Sequence, residues 1–324
     1  MSVATVTRSI AETRDALAGL PRPLGFVPTM GALHAGHLAL VRAAAGQCAS
    51  VVLSVFVNPR QFGADEDLGT YPRDEARDLA LAGDAGAQVV FAPLSAEMYR
   101  PAAATVVHVD GPLGSRYEAA ERPGHFDGVA TIVTKLLSIV APDRAYFGRK
   151  DAQQLAVVRR LAADLDLPVE IVAVDTVREP DGLAMSSRNV YLTVDERAKA
   201  SDLHRALLAG RAVAAQGARA IVAEVTARLL VGFPPYLEIA PDPDAPPRPR
   251  FSVDYVAVVD PDSFVPVDEL SPGAVSPRSL IVAAVHLGGT RLIDNLQVGE
   301  APSPQSTTAD EPDPSGGPAS DQKE

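Results

Sequence analysis

Along the first half of the chain, short runs of apolar and β-branched residues alternate with stretches whose apolar positions recur at helical spacing. Leu24–Thr29, Val51–Val57, Val89–Ala92, Arg144–Phe147 and Val169–Val174 read as strands. The second is apolar nearly throughout, as a strand covered on both faces must be. Between them His37–Gly46, Arg73–Ala82, Asp127–Val140 and Asp151–Asp166 read as helices. In the third helix Val129, Ile132, Val133, Leu136, Leu137 and Val140 fall on one face, and Asp127 stands where an N-cap belongs. That segment predicts packing, not chemistry, and the alternation as a whole predicts an α/β fold.

After Thr193 the texture changes. Thr193 followed by Glu196 has the form of a capping box, and a further helix is predicted near Ala220–Leu230. A proline-rich stretch, Pro234–Pro249, interrupts the chain before three strand-like runs, Phe251–Val259, Leu280–His286 and Thr290–Asn295. These predict a small helix-plus-antiparallel-sheet unit. From Gly299 onward the residues are Pro, Ser, Gly, Thr and acids with almost no apolar anchor, a composition expected to be disordered. The expected boundaries are therefore a first domain over 1–184, a second over 185–298 and a tail over 299–324.

The formal net charge of −12 is less informative than it looks, because beyond residue 299 six acids face Lys323 alone and put −5 on the tail. The body is mildly acidic, which gives no broad attraction for nucleic acid or an anionic membrane. Cys48 is the only cysteine, so an intrachain disulfide and a cysteine-rich metal site are excluded. With no leader-like start and no apolar run of membrane-spanning length, the chain reads as cytosolic.

The strongest chemical signal is Pro28-Thr29-Met30-Gly31-Ala32-Leu33-His34-Ala35-Gly36-His37, which leaves the first strand and enters a helix. The free N–H groups and positive end of a helix favour an anion, and glycine allows close approach of backbone to phosphate. Imidazoles placed there can donate to phosphate oxygens as charge builds on a leaving group. A bare H-x-G-H equally fits one capping and one surface histidine, and its position between strand and helix is what favours the anion site. A second junction, Ser54 to Gly63, breaks a buried strand into Asn58, Pro59 and Gln61, whose amides suit a hydroxy acid beyond the carboxyl end of a strand. An ordinary Asn-Pro turn is the alternative there.

The third junction, Phe147-Gly148-Arg149-Lys150-Asp151-Ala152-Gln153-Gln154, offers a compact cation in Lys150, a cap or ribose or metal ligand in Asp151, and Gln154 one turn into the helix. The fourth, Val177 and then Met185-Ser186-Ser187-Arg188, supplies hydroxyls and a guanidinium able to close over a triphosphate. His125 in Arg122–Gly128 is a further candidate, either lining the site or holding a loop, while Asp110, His204 and His286 lack such context. Phosphate-loop, zinc-protease and serine-hydrolase motifs are absent from the sequence.

Taken in order, Pro28–His37, Phe56–Gly63, Arg122–Gly128, Phe147–Gln154 and Met185–Asn189 resemble the pantothenate synthetase (pantoate–β-alanine ligase) family of the nucleotidyltransferase superfamily, over roughly residues 1–295. The resemblance implies a Rossmann-like parallel-sheet domain, a smaller α+β lid domain and a homodimer. It implies that ATP and pantoate form pantoyl-adenylate and pyrophosphate, that β-alanine then takes the acyl group, and that Mg²⁺ accompanies ATP. It further implies that Met30 through His37, including Gly31, Ala32, Leu33, Ala35 and Gly36, form an ATP loop, with His34 and His37 at the departing pyrophosphate. Gly148, Arg149, Lys150, Asp151 and Val177 would take ribose and adenine, while Lys150, Met185, Ser186, Ser187 and Arg188 would meet the phosphates. Gln61 and Gln154, with Asn58 and His125, would bind pantoate and β-alanine; metal ligands are not assigned. The proline-rich stretch and acidic tail depart from the family pattern.

Two other readings compete. A nucleotidyltransferase of the same fold with no amine acceptor keeps the histidine loop but has no need of paired glutamines. A silent nucleotide-binding scaffold predicts eroded histidines or a lost Lys150, and both are intact. A tRNA-charging fragment is disfavoured by the acidic body.

Overall fold

Phe26 and Val27 are neighbours in sequence and both fully buried, yet they enter different cores. The reason is the pleat: alternate residues of a strand face opposite sides of the sheet, and here both sides are covered by helices. The computed structural model describes residues 4–299 apart from 64–65, 67, 233–250 and 272–274. The proline-rich insertion and the tail beyond Gly299 lie outside the described residues.

The larger sheet is parallel and contains β1 (Thr5–Thr7), β2 (Leu24–Thr29), β3 (Ser50–Val55), β4 (Val89–Phe91), β5 (Arg144–Gly148) and β6 (Glu170–Val174). Their order is β1-β4-β3-β2-β5-β6. Leu24, Phe26, Val52, Val89 and Phe91 pack with helices His125–Val140 and Ala152–Asp164. Val27, Val51, Leu53 and Val90 pack with helices Ala35–Gln47 and Glu75–Ala85 on the other face. From β2 the chain steps to β3 on one side, and β5 lies on the other, so the connections after β2 and β5 leave in opposite directions. Such a switch point opens a crevice at the carboxyl ends of its two strands.

The smaller sheet is antiparallel, in the order β7 (Phe251–Val259), β8 (Leu280–Leu287), β9 (Thr290–Gln297). Helices Asp202–Ala212 and Ala218–Gly232 cover it through Leu203, Leu207, Ile221, Val225 and Leu229. The capping box at Thr193 is present, but the helix it opens ends at Ala200 and a second begins at Asp202.

Several boundaries differ from the sequence reading. β1 and helix Ile10–Ala18 were not legible as elements: the strand is three residues of alternating character, and the helix is marked chiefly by a capping box between Ser9 and Glu12. Asp127 does not cap its helix. That helix begins at His125 after a left-handed Gly124, and the Asp127 carboxylate instead accepts from Val109 N and faces His108 Nδ1, each at 2.9 Å. No helix among the described residues is long and apolar enough to cross a membrane.

Candidate active site

A cavity of about 610 Å³ opens at the switch point and extends under the smaller sheet. Met30, Gly36 and the two histidines reach it from the end of β2, and Asn58 and Gln61 from the end of β3. Gly148, Lys150, Asp151 and Gln154 reach it from the end of β5, Val177 and Met185 through Arg188 from beyond β6, and His125 from a helix start. The four junctions singled out in the sequence thus converge. Gly31, Ala32, Leu33, Ala35 and Arg149 are not among its lining residues.

The histidine loop is built by its neighbours. Gly31 and Ala32 both adopt left-handed backbone, φ 82° and 50°, which turns the chain sharply out of β2. This geometry costs a non-glycine residue about 1–2 kcal/mol. The buried Asp78 holds it: its carboxylate accepts from Ala32 N at 2.8 Å and Leu33 N at 2.7 Å. Those two N–H groups are therefore spent on Asp78, and Leu33 fills the core. His34 caps the next helix through Nδ1, which accepts from Gly36 N at 3.1 Å. Neutral His34 must then carry its proton on Nε2. The rings of His34 and His37 lie 4.1 Å apart, and His37 Nδ1 is enclosed with no protein partner.

Burial pushes the His34 pKa down to about 4, with the Lys150 charge adding to it. Burial, then His34 and Lys150, push His37 to about 3. Both rings are neutral N–H donors at physiological pH; Lys150 and Arg188 bring positive charge to the site, and Arg122 and Arg291, which also line it, are paired with Glu66 and Glu118. The Lys150 ammonium lies 3.6 Å from Asp151 Oδ1. Asp151 occupies the N-cap position of its helix without a side-chain capping bond, so its carboxylate stays in the cleft.

The amide side of the cleft is equally constrained. Asn58 makes its full set of bonds: Nδ2 donates to Gln61 Oε1 and Gly128 O, each at 3.1 Å, and Oδ1 accepts from Tyr99 Oη at 2.7 Å and Arg60 N at 3.3 Å. Gln61 Nε2 lies 3.0 Å from Met30 Sδ. One N–H and one oxygen lone pair of Gln61 remain for a ligand. His125 is also committed. Its Nδ1–H donates to Gln61 O at 2.8 Å and its Nε2 accepts from Arg122 at 3.1 Å, while burial, reinforced by Arg122, lowers its pKa to about 4. Asn58 and His125 thus hold Gln61 in place instead of presenting free groups.

Gln153 and Gln154 separate cleanly. Gln153 is buried and its side chain is bonded to Glu118 N, Leu113 O and Arg116 O, whereas the side chain of Gln154 faces the cleft and makes no hydrogen bond among the described residues. Ser186 Oγ caps a short turn by accepting from Arg188 N at 3.2 Å, and Ser187 Oγ meets Tyr71 Oη at 3.3 Å. Arg149 pairs with Asp175 at 2.9 Å.

Several contributions lay outside the sequence reading. Asp78 carries no local signal for its loop-bracing role, and Asn295 none for reaching across from β9. Gly128 had one, as a glycine inside an apolar helix: a Cβ there would lie 2.2 Å from Arg60 O. His204 and His286, which lacked a telling sequence context, both line the cleft, near Asp294 and Asp254. A buried network, Glu118 with Arg291 at 2.6 Å and Tyr255 at 2.7 Å, and Arg291 with Asp254 at 2.7 Å, ties the smaller sheet to the rest.

Fold and cleft together define an α/β nucleotide-site protein of the H-x-G-H kind, with its ligand crevice at a parallel-sheet switch point. The chain belongs to the pantoate-beta-alanine ligase family, whose model matches residues 4–297. It is 50% identical over 300 residues to a pantothenate synthetase of Rhizorhabdus wittichii, spanning 92% of this chain and 99% of that protein. A crystal structure of pantothenate synthetase from Thermus thermophilus superposes with a TM-score of 0.80 at 47% identity, over 91% of this chain and 99% of the other. The pantoate-beta-alanine ligase of Francisella tularensis, complexed with beta-gamma ATP and beta-alanine, superposes with a TM-score of 0.72 at 26% identity, over 93% and 100%.

Proposed function

We propose that this chain condenses pantoate with β-alanine at the expense of ATP, through a pantoyl-adenylate. The observation that carries the reading is the convergence of His34, His37, Lys150, Gln61, Gln154 and Arg188 on one cleft.

In the first step a carboxylate oxygen of pantoate bonds to the α-phosphorus as the bond to the β-phosphate oxygen breaks and pyrophosphate leaves. Two anions must approach, so the barrier is largely electrostatic. Lys150 and Arg188 supply fixed positive charge. His34 and His37, held neutral by burial, act as hydrogen donors toward the departing oxygens; they stabilise charge without giving up a proton, which a good leaving group does not require. Gln61 and Gln154 take the hydroxyls and carboxylate of pantoate, with Gln61 also beside β-alanine, and Asn58 and His125 hold Gln61. Gly148, Lys150 and Val177 take ribose and adenine, and Met185, Ser186 and Ser187 the phosphates. In the second step the amine of β-alanine attacks the acyl carbon and AMP departs. No side-chain nucleophile is needed, because the adenylate is already activated.

Among the described residues no cluster of three metal-ligating side chains occurs. That fits Mg²⁺ riding on the triphosphate, since magnesium keeps most of its water and takes one or two carboxylates. Asp151 is the carboxylate we assign to it, and the ion would neutralise phosphate charge. We further take 1–184 as the nucleotide- and acid-binding domain and 185–298 as a lid that excludes water from the adenylate. The working unit is a cytosolic homodimer.

The test is mass-spectrometric detection of pantothenate and AMP from ATP, pantoate and β-alanine. His34→Ala or His37→Ala should slow adenylation by about 10²-fold or more. Release of pyrophosphate with other acids but never with pantoate would remove the substrate assignment.

A further inference from the structure

We propose that Asn295, on β9 of the smaller sheet, is a positioning residue that sets the backbone carrying Lys150. This deepens the ATP-site reading above and rests on it.

Asn295 Nδ2 donates to Arg149 O and to Lys150 O, both at 2.9 Å. Two carbonyls can be met only by an amide nitrogen, so the orientation of the side chain is fixed. In a planar trans peptide the N–H points opposite the C=O. Turning both carbonyls toward β9 therefore turns the N–H groups of Lys150 and Asp151 away from it and fixes the bend that leads from β5 into helix Ala152–Asp164. Lys150 sits in that bend between two peptides that Asn295 holds.

The preceding residue anchors the strand to the other nucleotide-directed stretch. Asp294 is buried, 4% exposed, and accepts from Arg178 at 2.6 and 3.0 Å. Arg178 also donates to Gly182 O at 3.1 Å, inside a hairpin where Met185 N meets Val177 O at 3.0 Å. Asp294 Oδ1 in turn accepts from Asn295 N at 2.8 Å. Consecutive residues of one strand thus clasp the 149–150 bend and the 177–185 hairpin, the two stretches between which the nucleotide would lie. Seating the smaller sheet and placing Lys150 become one event.

The experiment uses the full chain with Asn295→Ala and the isosteric Asn295→Asp, which sets an acceptor against two carbonyls. ATP binding is followed by calorimetry with a non-hydrolysable analogue, and KM values are measured for all three substrates. Losing two backbone-positioning bonds should weaken nucleotide binding about tenfold. KM for pantoate and β-alanine should move less than the nucleotide affinity, by under about threefold, since the reading above assigns both substrates to side chains of Gln61 and Gln154 and not to the 149–150 peptides. In a Lys150→Ala background the same change should cost under about threefold, because partners in one network are not additive. Equal losses for all substrates, a loss that multiplies fully with Lys150→Ala, or unchanged nucleotide affinity would overturn the proposal. If Asn295→Asp fails to unfold cooperatively, Asn295→Ala decides. If the parent binds the analogue but forms no pantothenate, the ligase reading fails while the titrations still judge Asn295; a parent that binds no nucleotide overturns both.

Discussion

Asp78→Asn isolates what holds the histidine loop in its strained form. The carboxylate accepts two backbone N–H groups, the half-buried Ala32 N–H at 2.8 Å and the buried Leu33 N–H at 2.7 Å, one on each oxygen. Asparagine keeps one acceptor and must aim its amide N–H₂ at the other donor, whichever way it is flipped. One N–H is then orphaned and one charged hydrogen bond becomes neutral, a combined cost of about 2–3 kcal/mol. At roughly 2–4 °C per kcal/mol for a larger domain, the melting temperature should fall by about 4–12 °C. The left-handed Ala32, φ 50°, gives the loop an incentive to relax once released, so His34 and His37 should lose alignment as well. Thermal unfolding followed by circular dichroism gives the first quantity, and ATP-dependent pyrophosphate release gives the second. A variant that melts within about 1 °C of the parent and turns over normally would refute the claim that Asp78 holds the loop.

Gly128→Ala places a Cβ 2.2 Å from Arg60 O, so the turn bearing Gln61 must shift; KM for pantoate should rise about tenfold or more, and an unchanged KM would show that the turn does not set the acid site. His34, His37 and His125 have folded pKa values of about 4, 3 and 4 against an ordinary 6.5. The unfolded chain therefore binds more protons in that window, so stability is full above about pH 6.5 and falls as pH drops toward 4. Urea midpoints at pH 7.5 and 5 should show the loss, and His37→Asn should reduce it; an identical slope in the variant would contradict the assignment. Glu118→Gln removes one of the two carboxylates that Arg291 meets and leaves Asp254 in place, so it should cost about 1.5–3 kcal/mol in urea unfolding, and a loss below about 0.5 kcal/mol would mean that Glu118 does not tie the smaller sheet to the rest.

The cleft residues that stand at the ends of β2, β3 and β5 were legible because local pattern alone marks such a strand-to-helix junction, whereas His204 and His286 reach the cleft from inside a helix and a strand and carried no such mark. His34, Gln61, Lys150 and Gln154 could be found in this way. Their supports could not. Asp78 looks like any acid on an amphipathic helix, and its worth depends on two N–H groups 45 and 46 residues away. Asn58 and His125 looked like ligand groups because their chemistry suits one; only the tertiary neighbours Tyr99, Gly128 and Arg122 show their bonds already committed.

By itself the sequence determined the alternation of elements, both of whose causes are local: the pleat and the helical turn impose their periods on apolar residues, and glycine, proline and capping residues punctuate them. It also determined which side-chain chemistries are present. Strand order, the switch point between β2 and β5, the protonation of the two histidines and the reach of Asn295 were decided only in three dimensions. Burial, field and hydrogen-bond partners are properties of what lies nearby in space, and in this chain the nearest groups come from residues far apart in number.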